Sequence, residues 1–289
     1  MNAQRRKPLL ENTPLPPAPR PAKPKPQSAS TDWNHVAAWY DQLVGTSGND
    51  YHQQVIAPAL KRLLEIVPNG KVLDVCCGQG VMSRYLRALA YDVTGMDAAP
   101  DLISAARQRE AELEKGQKKI TYLLGDAREL RHNPQLPAAG FDAAICVLAI
   151  QNLTPLSPLW EGLAHVLKPR ACAVIVLMHP CFRIPRRTGW GWDEKTNSQY
   201  RRVDTYMTSE KTGIVMHPGS DPTQTTTTTY HRPLQAYINT MAEHGLFTDR
   251  MEELVSHRQP PRGKRFDALD QSRREIPLFV ALRVRKIAI

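Results

Sequence analysis

The stretch Val72-Leu73-Asp74-Val75-Cys76-Cys77-Gly78-Gln79-Gly80 decides the fold, because a short apolar run stops in an acid and two glycines and a helical pattern follows at once. Lys71 to Val75 is short, β-branched and apolar, which suits a buried parallel strand, and Val81 to Tyr91 has the apolar spacing of a helix packed on a sheet. Between them Gly78 and Gly80 let the backbone turn sharply and let a ligand approach the main chain without meeting a Cβ. The next apolar segment, Tyr91 to Asp97, ends in an acid about twenty residues after the glycines, where such folds set a carboxylate on ribose hydroxyls. The unit is therefore strand, glycine loop, helix, strand, acid.

A dinucleotide fingerprint would need a third glycine, and Gly80 is followed by Val81, Met82 and Ser83, so a dehydrogenase reading loses ground. The residues resemble the first motif of the class I S-adenosylmethionine-dependent methyltransferase family, a hydrophobic run followed by D/E-x-G-x-G-x-G, with Cys76 in the first glycine slot. Further stretches extend the likeness. Lys119 to Ala127 resembles the third strand with its trailing Gly125-Asp126-Ala127, and Phe141 to Val147 the fourth strand, with Leu148 to Leu153 as the loop over the cofactor. Leu167-Lys168-Pro169 followed by Ala173 to Met178 resembles the turn into strand five, and Pro233 to Gly245, Phe247 to Val255 and Pro277 to Lys286 resemble a helix and the last two strands, a pair that usually forms an antiparallel hairpin.

The resemblance implies an α/β fold: a doubly wound, Rossmann-like, seven-stranded and mostly parallel sheet with an antiparallel last strand, an N-terminal lid helix and a cap insertion after strand five. It implies S-adenosylmethionine as co-substrate and no metal. Asp74 would orient the methionine end, Cys76, Gly78 and Gly80 would form the close-approach loop, Asp97 would hold the ribose, and Asp126, Ala127 and Leu148 would border the rest of the cofactor. Tyr40, in the helical stretch Trp33 to Asp41 that Asp32 could cap, would face the sulfonium, to which an aromatic ring is attracted by about 1 kcal/mol.

Composition agrees with one enzyme domain, residues 31–289, behind a different tail. Residues 1–30 hold eight prolines and six Lys/Arg against one acid, Glu11, so they carry five of the ten net positive charges and cannot bury a core. A disordered tail is expected there. No run reaches the ~18 apolar residues of a membrane span and the start lacks a hydrophobic signal core, so no membrane association and a cytoplasmic location are expected. The five cysteines have no metal spacing, and reduced, mostly buried thiols are the plain reading.

The connection after strand five, about residues 179–232, has no strong helical period and is too long for an ordinary loop. It leaves the carboxyl edge of the sheet, where ligands sit, so it should wall the acceptor pocket, with Trp190, Trp192, Tyr230 and Arg232 as candidate substrate residues. The threonines between Pro222 and Pro233 favour an edge strand. His179 and His231, at the two ends of the cap, are the candidate general bases, while a nucleophilic Cys181 lacks supporting motifs.

The expected function is methyl transfer by in-line displacement to an O, N or C nucleophile of a small molecule. An RNA methyltransferase is the alternative, motivated by the basic tail and by Arg186-Arg187, Arg201-Arg202 and Arg273-Arg274, and a non-catalytic cofactor-binding scaffold is a second. The sequence is silent on oligomeric state.

Overall fold

A computed structural model describes residues 33–112, 118–215 and 226–287. The tail, Asp32 and Pro222 lie outside the described residues. Strand β1 (Lys71–Val75) leads through the glycine loop into α3 (Val81–Ala88), and β2 (Asp92–Asp97) into α4 (Pro100–Ala111). Strands β3 (Thr121–Leu124), β4 (Phe141–Val147) and β5 (Leu167–Met178) follow, with α5 (Ser157–Val166) before the last of them. Beyond the cap come α6 (Leu234–Ala242), β10 (Leu246–Leu254), α7 (Phe266–Glu275) and β11 (Phe279–Lys286). Ahead of the sheet lie α1 (Ala37–Val44) and α2 (Ala57–Leu63).

The seven strands are ordered β10-β11-β5-β4-β1-β2-β3. The five from β5 to β3 run parallel, and β11 is antiparallel to both of its neighbours, as expected. The final pair is not a tight hairpin, because α7, which has no expected counterpart in the sequence reading, lies between its strands. The α3 pattern also stops early. Ala90 turns the chain at a φ of 66°, so the helix ends at Ala88 rather than running to Tyr91.

Strand alternation explains the two layers. Leu73 and Val75 join the cluster of Trp160 and Leu163 from α5 with Tyr237 and Met241 from α6, whereas Val72 joins Leu60 from α2, Leu86 from α3 and Ile103 from α4. Asp74 shares the face of Val72. That places a carboxyl group, only 2 % exposed, against α3, where the Ser83 hydroxyl donates to it at 2.6 Å. At the far edge Arg283 of β11 is buried and bonds Asp249 of β10 at 2.8 Å and Glu65 at 2.6 Å, fastening the last strands to the segment after α2.

The cap consists of two antiparallel ribbons, β6 (Thr188–Asp193) with β7 (Ser198–Val203) and β8 (Glu210–Val215) with β9 (Thr226–His231). The threonine run is a strand, since Thr226 to Thr229 lie in β9.

Packing alone already requires glycine at position 80. A Cβ there would collide with the Tyr122 hydroxyl and lie 2.8 Å from its Cζ, at a φ of 85°. Left-handed strain of ~1–2 kcal/mol and overpacking of ~1–3 kcal/mol predict that Gly80→Ala lowers stability by about 2–5 kcal/mol. Adding Tyr122→Phe should restore part of the loss, read as the urea midpoint of the two variants.

Candidate functional site

The carboxyl ends of β1, β2 and β4 meet at one edge. Three residues of the loop after β1 have left-handed backbones, Cys76 at 59°, Gly78 at 55° and Gly80 at 85°, and Leu148, immediately after β4, has a φ of 52°. Cys76 thus occupies a conformation that favours glycine, which is the physical content of the slot it fills. Leu148 is held by its N–H on the Val176 carbonyl at 2.7 Å and its carbonyl accepts from Gln151 Nε2 at 2.6 Å.

Asp97 joins the loop to β2. Its carboxylate accepts the Gly78 N–H at 2.8 Å and the Ala99 N–H at 2.9 Å, so the acid and the glycines identified in the sequence are in direct contact. Burial raises the Asp97 pKa, against the backbone hydrogen bonds that favour its charge, and the Asp126 carboxylate adds to the rise. Burial likewise lifts Asp74 to about 7, opposed by the Ser83 hydrogen bond and reinforced by the Asp97 charge.

Tyr40 closes this edge from the lid. Its Cε1 lies 3.5 Å from where a Gly78 Cβ would stand, and its ring meets Trp33 edge-on at 5.4 Å. Burial first, then the Asp97 and Asp74 charges, push the phenol up to about 12, so Tyr40 stays a neutral ring beside two acids. The lid is latched to the loop by Gln79, whose Nε2 donates to the Gly45 carbonyl at 2.6 Å, and by Arg84, which donates to the Thr46 carbonyl at 2.7 Å and to Gln79. Asp41 ties the lid to α4 through Arg109 at 2.7 Å.

Between lid and loop lies a small cavity of about 30 Å³, lined by Tyr40, His52, Asp74, Cys76 and Gln79 among others. His52 begins a π-helical turn, His52–Ile56, a geometry that recurs at functional sites. Asn49 Oδ1 accepts from the His52 backbone N–H at 3.1 Å and from the ring Nδ1 at 2.9 Å, which puts the proton on Nδ1 and leaves Nε2 a lone pair. Burial lowers the His52 pKa, so the ring is neutral near pH 7.

The two histidines singled out in the sequence are engaged elsewhere. The Nδ1 of His179 accepts the Cys181 N–H at 3.2 Å, and its Nε2 bonds Glu253 of β10 at 2.8 Å, so neither nitrogen of this buried ring is free to take a proton. Burial lowers its pKa despite Glu253. His231 is also buried and directs Nε2 to the Tyr206 carbonyl at 2.7 Å. Neither lines the space between lid and loop, and His52 does.

Asp126 does not stand free either. It caps the 3-10 turn Ala127–His132 and pairs with Arg128 at 2.6 Å; burial works to raise its pKa, but the Arg128 bonds and charge outweigh it and the net shift is downward. Ala127 is buried behind it. Thr229 and Arg232 reach the segment after β4, since Arg232 Nη2 donates to the Leu153 carbonyl at 2.8 Å and Thr229 bonds Asn152 at 3.2 Å, while Tyr230 is placed only by its ring, 5.3 Å from the Arg232 guanidinium. Trp190 and Trp192 instead stack under Arg201 at 5.0 Å and Arg265 at 4.2 Å, in a ribbon that leans on α7 through Gln199 and Ser272. The sequence reading missed His52, Gln79, Ser83 and Arg84. Only His52 carried a signal, the Tyr51-His52 pair ahead of β1.

This order of strands, with a glycine loop after the first and an acid ending the second, is that of the class I S-adenosylmethionine-dependent methyltransferases, and the likenesses that follow support that class for this chain. Residues 72–170, from β1 into β5, match the family described as methyltransferase domain. The chain is 33% identical over 157 residues to the 2-phytyl-1,4-naphtoquinone methyltransferase of Synechococcus elongatus, covering 53% of this chain and 65% of the relative. It is 31% identical over 143 residues to the malonyl-(acyl-carrier protein) O-methyltransferase of Salmonella typhimurium, covering 50% of each. The chain thus spans about half to two thirds of these curated relatives. The crystal structure of an S-adenosylmethionine-dependent methyltransferase from Mesorhizobium loti superposes with a TM-score of 0.58 at 23% identity, over 79% of this chain and 96% of that one, a likeness of fold. Among the described residues no helix is long and apolar enough to cross a membrane.

The Asp74 shift has a consequence for stability. An acid whose folded pKa lies near 7, above an unfolded value of about 3.9, contributes stability that is complete below the unfolded value and is lost as the pH rises through the folded one. Asp74→Asn should therefore gain stability relative to the unsubstituted protein between about pH 5 and about pH 8, read by thermal unfolding of the ligand-free protein at both values.

Proposed function

We propose that this protein transfers a methyl group from S-adenosylmethionine to a nucleophile on a small-molecule acceptor. The observation that carries the reading is the meeting of Asp97 with the Gly78 N–H under the Tyr40 ring, beside buried Asp74. The residues present fit the co-substrate. The Gly78 backbone is open except for the Tyr40 ring, two acids suit a ligand that carries sulfonium and ammonium charges, and a neutral phenol ring suits the sulfonium. The two relatives bear names with a naphthoquinone and a malonyl carrier, which supports a small acceptor group.

S-Adenosylmethionine supplies a methyl group already activated for in-line displacement. The chain's own work is then to orient, to exclude water and to take a proton from a poor nucleophile. Asp74 and Asp97 hold and orient, Tyr40 and the latched lid exclude water, and His52 Nε2 accepts the proton while Asn49 keeps the other ring nitrogen protonated. Leu148 and Gln151 hold the loop after β4 in place. Asp126, paired with Arg128, remains a proposed adenine neighbour, with Ala127 beside it.

The RNA alternative is weakened in one of its two motivations, the arginine pairs. Of the basic pairs, Arg187 is bonded to Glu210, Arg202 to Asp204 and Arg274 to Asp270, so half of that charge is neutralised locally. The scaffold alternative is decided by the same experiment as the main reading. Labelled S-adenosylmethionine is incubated with the protein and fractionated cell extract, and label is expected in small metabolites; label in RNA, or in no fraction, overturns the proposal.

Two substitutions refine it. Asp74 gives up its proton when a cation is held beside it, so affinity for S-adenosylmethionine should rise as the pH passes about 7, with proton release seen by calorimetry in two buffers, and Asp74→Asn should abolish both. His52→Gln should slow labelling on the order of a hundredfold or more while affinity for S-adenosylhomocysteine is unchanged. An unaltered rate would remove His52 from the chemistry.

A further inference from the structure

At the start of the cap two arginines, Arg183 and Arg201, have no counter-ion among the described residues. The turn after β5 is rigid: the Arg183 N–H donates to the His179 carbonyl at 2.8 Å, the Cys181 N–H to the His179 ring, and that ring is fastened to Glu253. The half-buried Arg183 side chain makes no hydrogen bond or ion pair among the described residues. Beside it Arg201 donates Nε to the Phe182 carbonyl at 2.8 Å, on the peptide that leads into Arg183, and Nη2 to the Thr188 hydroxyl at 2.7 Å. All of its partners are neutral.

The acids of the neighbourhood are already used. Asp50 pairs with Arg258 at 2.6 Å, Glu253 with His179, Glu194 with Arg265 at 2.9 Å and Glu210 with Arg187 at 3.0 Å. Burial lowers the pKa of both Arg183 and Arg201, and the Arg183 charge lowers that of Arg201 further, so the two cations repel each other with only the Tyr51 phenol opposing. Half-buried, uncompensated cations are costly, and a rigidly based guanidinium with free donors is the geometry that binds carboxylate or phosphate oxygens in pairs.

The place matters as much as the charge. Tyr51 precedes His52, whose ring lines the space between lid and loop, and the Tyr51 ring packs on Phe279, which pairs with Met178 at the end of β5. Arg183 follows five residues after Met178 in the chain and is near enough to the Tyr51 phenol to feel its charge.

We infer that the acceptor carries an anionic group, carboxylate or phosphate, which Arg183 binds directly with Arg201 beside it, so that the acceptor's nucleophile is presented toward His52. The inference rests on the methyltransferase reading for the role of the ligand, although anion binding is measurable without it.

The test uses the full chain, with and without S-adenosylhomocysteine, titrated calorimetrically at constant ionic strength with malonate and separately with inorganic phosphate. Binding of one probe is expected, weakened about tenfold or more in Arg183→Gln, the loss that follows from removing a hydrogen-bonded charge pair, with S-adenosylhomocysteine affinity retained. Arg183→Lys should fall between. Malonate preference assigns a carboxylate and phosphate preference a phosphoryl group. In the unsubstituted protein the same anion should protect Arg183 from phenylglyoxal, read by peptide mass spectrometry, which decides the matter should the variants fail to fold. No binding of either probe, equal binding by Arg183→Gln, or no protection overturns the inference. Failure to bind S-adenosylhomocysteine with anion binding intact instead overturns the methyltransferase reading.

Discussion

The Asp97 carboxylate spans two loops that leave neighbouring strands, accepting one N–H from Gly78 after β1 and one from Ala99 after β2. Everything at the carboxyl edge of the sheet is placed by that bridge. With the glycine loop drawn toward β2, the Cys77 N–H reaches the Met96 carbonyl at 3.0 Å, Gly78 faces the lid and Asp74 turns under α3 to meet Ser83. The bridge also concentrates charge, since Asp97 feels Asp126 and in turn raises Asp74. Arg128 neutralises Asp126, so the unpaired negative charge is confined to the corner nearest Tyr40.

That corner is covered by a lid attached both through hydrogen bonds and through the buried Val36, Ala37 and Val44, with Ala37 packed on Ala99 and Leu102. Gln79 and Arg84 belong to the glycine loop and the first turns of α3, yet their side chains hold the carbonyls of Gly45 and Thr46 at the end of α1. The attachment makes lid and loop report on each other: a shift of the loop backbone moves the donors that keep the lid in place.

The sequence carried the sheet well because its signals are local and periodic. β1 runs from Lys71 to Val75 as its apolar run predicts, and Asp97 sits on the glycine loop as the spacing from Gly78 implies. What stayed hidden depends on contacts across long separations. Gly80 reads as a ligand position, but the group that forbids a side chain there is Tyr122, two strands away. Arg283 carries no local sign of its role and is a buried anchor for Glu65 and Asp249. The helix α7, rich in charge, carries little apolar pattern and so escaped notice. Trp190 and Trp192 are recognisable as unusual, but nothing local says that their partners are Arg201 and Arg265.

The histidines show why residue type and position are weaker guides than the fate of each ring nitrogen. His179 is at the expected exit of β5, but a backbone N–H and a carboxylate consume both nitrogens, and a base needs a lone pair that nothing else holds. In His52 the side-chain oxygen of Asn49 fixes the proton on Nδ1, and burial keeps the ring neutral, so Nε2 keeps a lone pair on a ring that lines the space beneath the lid. The same accounting gives His179 a different task. By clamping the turn that ends in Arg183 to β10, it holds the base of a guanidinium that has no partner among the described residues. A site with negative charge on the glycine-loop side and positive charge on the cap side orients any ligand pair of complementary charges before a bond is made.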